Sequence, residues 1–288
     1  MTDHGQSPNL RFSRRGVLRL AAGFLASPFL SLAARTEMTE PHLPSGDLAA
    51  LRRLGSGRVV AIVDGDTVTL DDGMDVRLVG TQAPKLPLGR PNFTPWPLGD
   101  AARDFLTRIA DGRLIHLYAG GRERDRHGRW LAHCITEDGI WLQGATVGAG
   151  LARVYSFSDN RMLIERLYGH ERFARAGAEG IWADPFYHIR PASDAARLES
   201  DIGTYQLVEG RILSVGRAGE TVYMNFGHRW SEDFTITLDD RAVRLLEETG
   251  RNPFALEGMS VRVRGWMERG GGPKIVLTHP EPLEVEPS

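Results

Sequence analysis

The chain has 288 residues, of which 41% are hydrophobic and 25% charged, and its formal charge is −2. This composition is that of a folded globular protein and excludes general disorder, while the length suggests roughly two domains. The single cysteine, Cys134, excludes an internal disulfide framework. The acidic balance excludes a protein that coats nucleic acid through its net charge alone.

At the N-terminus, Ser13-Arg14-Arg15-Gly16-Val17-Leu18 leads into an apolar stretch, Val17 to Leu32, that ends among the small residues Ser31, Ala33 and Ala34. A basic start, an apolar middle and a small-residue exit make a secretory signal, and the paired arginines resemble the twin-arginine export motif. Arg19 and Pro28 interrupt a run already short of the roughly 20 residues that a spanning helix needs. Residues 1–34 are therefore expected to be a signal segment read by the twin-arginine export machinery. The mature form would have no stable membrane span and would be periplasmic or secreted. Removing Arg11, Arg14, Arg15 and Arg19 with only Asp3 takes the formal charge from −2 to −5, so any nucleic-acid contact must come from a local patch. A polar, proline-containing linker is expected over residues 35–56.

The first domain is expected over residues 57–185. It opens with three short apolar runs punctuated by Asp64-Gly65-Asp66 and Asp71-Asp72-Gly73, which predict a three-stranded antiparallel meander with tight turns. Asp66 and Arg77 would lie near each other on adjacent strands. Residues Lys85 to Pro97 contain four prolines, forbidding helix or central strand and predicting an ordered loop pinned by Phe93 and Trp96. Leu98 to Ile109 has helical periodicity. Strands are expected at Leu114 to Tyr118 and Arg129 to Ile135, joined by the charged turn Arg122 to Gly128. Helices follow at Gln143 to Leu151 and Asn160 to Gly177, with Leu163, Leu167 and Phe173 as a core stripe. Cys134, between His133 and Ile135 in a strand, reads as core. His116, His127 and His133 lack metal-ligand spacing.

Three strands, a helix and two strands is the order of an OB-fold barrel, a small closed sheet. The series Asp64-Gly65-Asp66-Thr67, Val76-Arg77-Leu78, Ala83-Pro84, Asp125-Arg126-His127-Gly128-Arg129, Gly150-Leu151-Ala152 and Gly180-Ile181-Trp182 resembles the staphylococcal nuclease (thermonuclease) family. The resemblance implies a mainly β protein with helices, of α+β class, built on a five-stranded OB-fold barrel. It implies that Asp66 is a calcium ligand, that Arg77 and Arg129 grip the scissile phosphate, and that Arg126 and His127 contact a neighbouring phosphate. Guanidinium groups suit this role, since each presents a planar fork of donors to two phosphate oxygens and stabilises charge developing on phosphorus. Standing alone, Asp64-Gly65-Asp66 is also a plain hairpin turn, and Arg122, Arg124 and Arg126 a solvated one.

The sequence departs from the family at two positions. Gln82 stands where the family has an aspartate, the second calcium ligand, and Lys85 where it has the glutamate that positions or deprotonates the attacking water. Gln82 offers a carbonyl oxygen but no charge, which weakens a Ca²⁺ site. Lys85 could serve as a replacement base only with a depressed pKa; Asp100 is the nearest carboxylate that could enter from outside.

A second linker is expected at residues 186–203, and a second OB-like β-barrel domain at 204–286. Strands are predicted at Gln206 to Val215, Thr221 to Phe226, Phe234 to Leu238, Val261 to Met267 and Lys274 to Thr278, with a helix at Asp240 to Thr249. Tyr223, Phe226, Trp230 and Phe234 are interleaved with Arg217, Arg229, Arg262 and Arg264, a composition that serves either a barrel core or a single-strand-binding face. Two function classes follow. One is a phosphodiesterase acting on DNA or RNA, single-stranded for preference. The other is a noncatalytic protein binding nucleic acid or another phosphodiester ligand, with an envelope interaction scaffold as a third possibility.

Overall fold

The computed structural model describes residues 42–285, so the expected signal segment at 1–34 and residues 35–41 of the expected linker lie outside the described residues. A short helix α1 (Ser45–Ala49) leads into β1 (Arg52–Asp64), β2 (Thr67–Leu70), β3 (Asp75–Leu78) and β4 (Gly80–Gln82). Then come α2 (Gly99–Ala110), β5 (Leu114–Ala119), β6 (Trp130–Thr136), α3 (Leu142–Gly148), β7 (Arg153–Tyr155) and α4 (Ile164–Ala176). Strands β1-β2-β3-β6-β5 form a closed barrel. The β3–β6 pair is parallel and the others antiparallel, so the OB strand order is realised.

β1 closes this barrel by serving two neighbours: Arg52 to Arg58 pair with β5, and Val59 to Asp64 with β2. The expected boundary at residue 57 therefore falls inside a strand. Its first half carries arginines and glycines without apolar alternation, which hides it from a periodicity reading. The expected linker is structured from residue 42 onward, because Leu43 and Leu48 pack on a buried cluster and Asp47 pairs with Arg166 at 2.8 Å. Val59, Val68, Val76, Leu78, Ile115, Leu117 and Cys134 fill the barrel, and Leu106 and Ala110 of α2 join that core. A neighbouring cluster holds Trp141, Val154, Leu167 and Tyr168. Leu167 is buried as expected, whereas Phe173 faces outward at 56% exposure.

The second half begins with β8 (Arg190–Pro191), α5 (Ala195–Ser200), β9 (Tyr205–Arg211) and β10 (Ser214–Ala218). It continues through β11 (Thr221–Asn225), β12 (Thr235–Leu238), α6 (Asp240–Glu248), β13 (Ser260–Gly270), β14 (Gly272–Leu277) and β15 (Leu283–Val285). The sheet runs β10-β11-β12-β14-β13-β9-β8, with β15 on β13 and a parallel β12–β14 pair. β9 and β10 are two halves of one chain segment that pair with different strands, β9 with β13 and β10 with β11, so the sheet is curled into a half-barrel. Val222, Met224, Phe234, Ile236, Val263 and Ile275 lie in its core.

The two halves meet along α4 and the short β4–β7 sheet on one side and β13 and β15 on the other. Arg264 of β13 is fully buried against the equally buried Glu171 of α4, with Nη1 donating to Oε1 at 2.9 Å and Nη2 to Oε2 at 2.7 Å. Arg264 also donates to Glu284 at 2.6 Å and to the Val154 carbonyl at 3.2 Å, and lies over the Tyr168 ring. Ser156 bonds His279 at 2.8 Å, and the Tyr168 hydroxyl donates to the Glu281 carbonyl at 2.6 Å. Removing one member of a buried charge pair strands the other. Arg264→Met is therefore expected to cost about 3–5 kcal/mol in denaturant unfolding, with the double variant Arg264→Met/Glu171→Met recovering part of it. Equal loss in the single and double variants would show that stranded charge is not the cause.

Candidate active site

The site is built where the β1–β2 turn meets the end of the barrel. Asp64 pairs with Thr67, leaving Gly65 and Asp66 as a two-residue turn. The turn is not a free hairpin tip. A Cβ on Gly65 would lie 2.6 Å from the Cβ of Ala102 on α2 and 2.7 Å from that of Ala83, so only glycine allows this approach. The packing buries Asp66 to 1% exposure and turns its carboxylate inward.

Four groups converge on that carboxylate. The Ala83 backbone N–H donates to Oδ2 at 2.7 Å, and Lys85 Nζ donates to Oδ2 at 2.8 Å and Oδ1 at 3.2 Å. Thr67 Oγ1 donates at 3.4 Å, and Arg77 forms an ion pair with Oδ1. Arg77, opposite Thr67 in the β2–β3 ladder, is fixed further by donating to the Asp66 carbonyl at 3.2 Å and the Thr81 carbonyl at 2.7 Å. Burial alone would raise the Asp66 pKa, but Arg77 and Lys85 outweigh it and hold the group well below the usual carboxylate range. Asp64 has the opposite fate: burial first, and then the Asp66 charge, push its pKa up. Asp64 accepts from the Asp66 N–H at 3.1 Å and lies 3.7 Å from Lys85 Nζ.

Gln82 does not turn toward Asp66. Its Oε1 accepts from Arg153 Nε at 2.8 Å, across the short β4–β7 pair in which the two residues are partners. Arg153 donates onward to the Tyr205 carbonyl at 3.0 Å, and its guanidinium lies 4.7 Å from the Tyr205 ring centroid. Burial lowers its pKa to about 10, leaving it charged at neutral pH. Lys85 is held as a donor to the Asp66 carboxylate. Asp100 is exposed in the first turn of α2 and pairs with Arg103 at 2.8 Å. The proline-rich loop after Lys85 is anchored by Trp96, whose backbone N–H donates to the Lys85 carbonyl at 2.9 Å and whose ring packs on Phe186; Phe93 lies under Arg90.

Arg129 is positioned by Asp125, which accepts from Arg129 Nε at 2.7 Å and from the backbone N–H groups of His127 and Arg129. Arg77 is opposite Leu131 in the parallel β3–β6 pair, and Arg129 lies two residues before Leu131 in the chain, just ahead of β6. Arg126 and His127 bond each other at 3.1 Å on the exposed turn, and Arg124 stacks on Trp130. His133 and Cys134 are buried, and desolvation drives the His133 pKa down to about 4 and the thiol's pKa up.

The donor set fits calcium poorly. Calcium seeks several carboxylate oxygens, whereas Asp66 is taken by two cations and Gln82 by a third. Among the described residues, no group of three or more His, Cys, Asp or Glu could hold a metal ion. Sequence reasoning left out Asp64, Arg153 and the Ala83 N–H. Asp64 and Ala83 stood in quoted motifs, but nothing in their spacing marked them as site members.

The opposed shifts of the two aspartates give opposite pH behaviour. A depressed folded pKa means that Asp66 stabilises the fold above the ordinary value of about 3.9 and that this stability is lost as pH falls below it. The raised folded pKa of Asp64 means that its stabilising contribution is lost as pH rises through that range. Asp66→Asn should therefore cost about 1.5–3 kcal/mol at pH 7 and progressively less in acid, as read by denaturant unfolding. Asp64→Asn should cost less than Asp66→Asn at pH 7, and the reverse order would overturn the assignment.

Comparison with known proteins bears on the domain that carries these residues. The family model for "Staphylococcal nuclease homologue" matches residues 75–184. A thermonuclease of Staphylococcus intermedius is 33% identical over 113 residues, 38% of this chain and 66% of that protein. An uncharacterized endonuclease of Escherichia coli O157:H7 is 28% identical over 131 residues, 44% of this chain and 77% of that protein. With the closed five-stranded barrel, these matches show that the chain carries a staphylococcal nuclease-like domain.

Proposed function

We propose that the first barrel binds nucleic-acid phosphodiesters at a cationic site that works without calcium, Lys85 standing beside Asp66 as a built-in cation. The observation that carries this reading is the engagement of both Asp66 oxygens by Lys85, with Gln82 committed to Arg153. Arg77 and Arg129 would take the phosphate oxygens. Each guanidinium has five N–H donors, and the bonds to Asp66 and Thr81, or to Asp125, leave donors for a ligand. Arg126 and His127, exposed on the neighbouring turn, would meet an adjacent phosphate. Hydrolysis is the second reading, favoured by relatives whose names are those of nucleases. It would need a base other than Lys85.

Single-stranded DNA or RNA should bind in the presence of chelator, and Arg77→Ala should weaken that binding by about ten- to a hundredfold in an anisotropy titration. The double variant Gln82→Asp/Lys85→Glu should gain calcium binding by calorimetry. Parent protein that binds or cleaves only with added calcium would overturn the reading. Cleavage by the parent in chelator, abolished in Arg77→Ala, would establish the second.

We further propose export through the twin-arginine route, on the strength of Arg14-Arg15 and the apolar run that follows. No helix among the described residues is long and apolar enough to cross a membrane. Replacing Arg14 and Arg15 together by lysine should leave the protein in the cytoplasmic fraction of its host; an unchanged periplasmic or secreted fraction would refute this route.

A further inference from the structure

The aromatic and basic residues that the sequence groups in the second half separate into two sets. Phe234 is in the core, Phe226 packs against it, and Arg264 is sealed in the junction. Tyr223 and Trp230 stay outside, 37% and 70% exposed. They line an open groove of about 640 Å³ on the outer face of β10, β11, β12 and β14, within the size range of ligand sites.

The registers explain its shape. Tyr223 is flanked by Gly216 on β10 and Thr237 on β12, and Thr237 by Val276 on β14. One row along, Asn225, Thr235 and Lys274 are neighbours. Gly216 leaves one side of the tyrosine ring open, since a Cβ there would meet nothing within 4 Å. Trp230 stands over the Gly271 turn, where a Cβ would come within 3.2 Å of its ring. The charged lining residues are Arg217, Lys274 and Asp239. Asp239 is turned to its helix, accepting from the Ala242 N–H at 2.7 Å as the N-cap of α6. Arg217 shares its charge with Asp240 at 2.9 Å, and the carboxylate paired with Lys274, Glu268, is 3.9 Å away. A ligand in the groove would therefore meet two aromatic faces, hydroxyl and amide groups, and cations.

We propose that this groove is a second nucleic-acid site, in which bases of a single strand stack on Tyr223 and Trp230 while Lys274 and Arg217 attract the phosphates. Stacking plus a cationic track is the combination that holds single strands without reading their sequence. The cations favour this occupant over an uncharged oligosaccharide, which would use the same aromatic faces. The inference extends the nucleic-acid reading to the second barrel but needs no particular chemistry at Arg77.

The test is an anisotropy titration of the full chain with a labelled oligo(dT) of about 15 nucleotides, long enough for one such fold. It is run in the parent and in an Arg77→Ala/Arg129→Ala background. In that background Tyr223→Ala and Trp230→Ala should each weaken binding about tenfold. Gly216→Leu, whose Cβ would meet nothing within 4 Å, should do the same while circular dichroism and melting temperature stay unchanged. Groove variants that bind like their parent would overturn the proposal, and if the Arg77→Ala/Arg129→Ala change then abolishes binding, the first-barrel reading survives alone. Loss confined to the groove variants would sustain the proposal and refute the first-barrel reading. Groove-dependent binding of a neutral oligosaccharide with no binding of oligo(dT) would also overturn it.

Discussion

The buried pair between Arg264 and Glu171 fixes more than the junction of two barrels. Glu171 Oε1 accepts from the Val154 N–H at 2.8 Å while Arg264 donates to the Val154 carbonyl, so both faces of one β7 peptide position are held by the pair. β7 is the partner of β4, and β4 carries Thr81, whose carbonyl steadies Arg77, and Gln82, whose amide is held by Arg153. A charge buried this deeply is tolerable only when its hydrogen bonds are met. Glu171, Glu284 and the Val154 carbonyl meet those of Nη1 and Nη2 of Arg264, while its buried Nε has no partner. The second barrel therefore acts as the floor against which the candidate site is set.

Gln82 and Lys85 make physical sense together. Relative to a family pattern with carboxylates at both places, Gln82 adds one unit of positive charge and Lys85 two. That exceeds what a divalent ion would contribute, so the cluster of Asp64, Asp66, Arg77 and Lys85 balances its charge from side chains alone. Gln82 has meanwhile acquired another partner. A neutral amide oxygen accepts from Arg153 without drawing that buried guanidinium into a full ion pair, and Arg153 reaches on to the Tyr205 carbonyl. What reads in sequence as a lost ligand is, in the fold, an acceptor that ties the site to the second barrel.

The parts of this arrangement that were legible in the sequence are local ones. The Asp-Gly turns, the alternation in β2 and β3, the periodicity of α2 and the motif series around Arg77 and Arg129 each depend on neighbours within a few residues. The first half of β1 was hidden by its arginines and glycines. β4 and β7 are three residues each, too short to establish a period. Arg264 belonged in sequence to a group that serves either a core or a binding face, and its burial is decided by Glu171, 93 positions away. Asp64 read as a turn residue because no local pattern says that α2 will close over Gly65.

The two barrels share a strand order but not a use. In the first, the turn between the first two strands is pressed against α2, and that pressure turns Asp66 inward and assembles the cations around it. The corresponding turn of the second, Gly219-Glu220, is exposed, and a Cβ on Gly219 would meet nothing within 4 Å. No acidic residue is buried there, so no cationic cluster is called for. The chemistry-bearing side chains of the second barrel lie instead on the outer face of its sheet, where Gly216 leaves Tyr223 uncovered. Topology fixes which strands are neighbours; the residue at one turn decides whether a barrel builds its site inside the end of the sheet or on its outer wall.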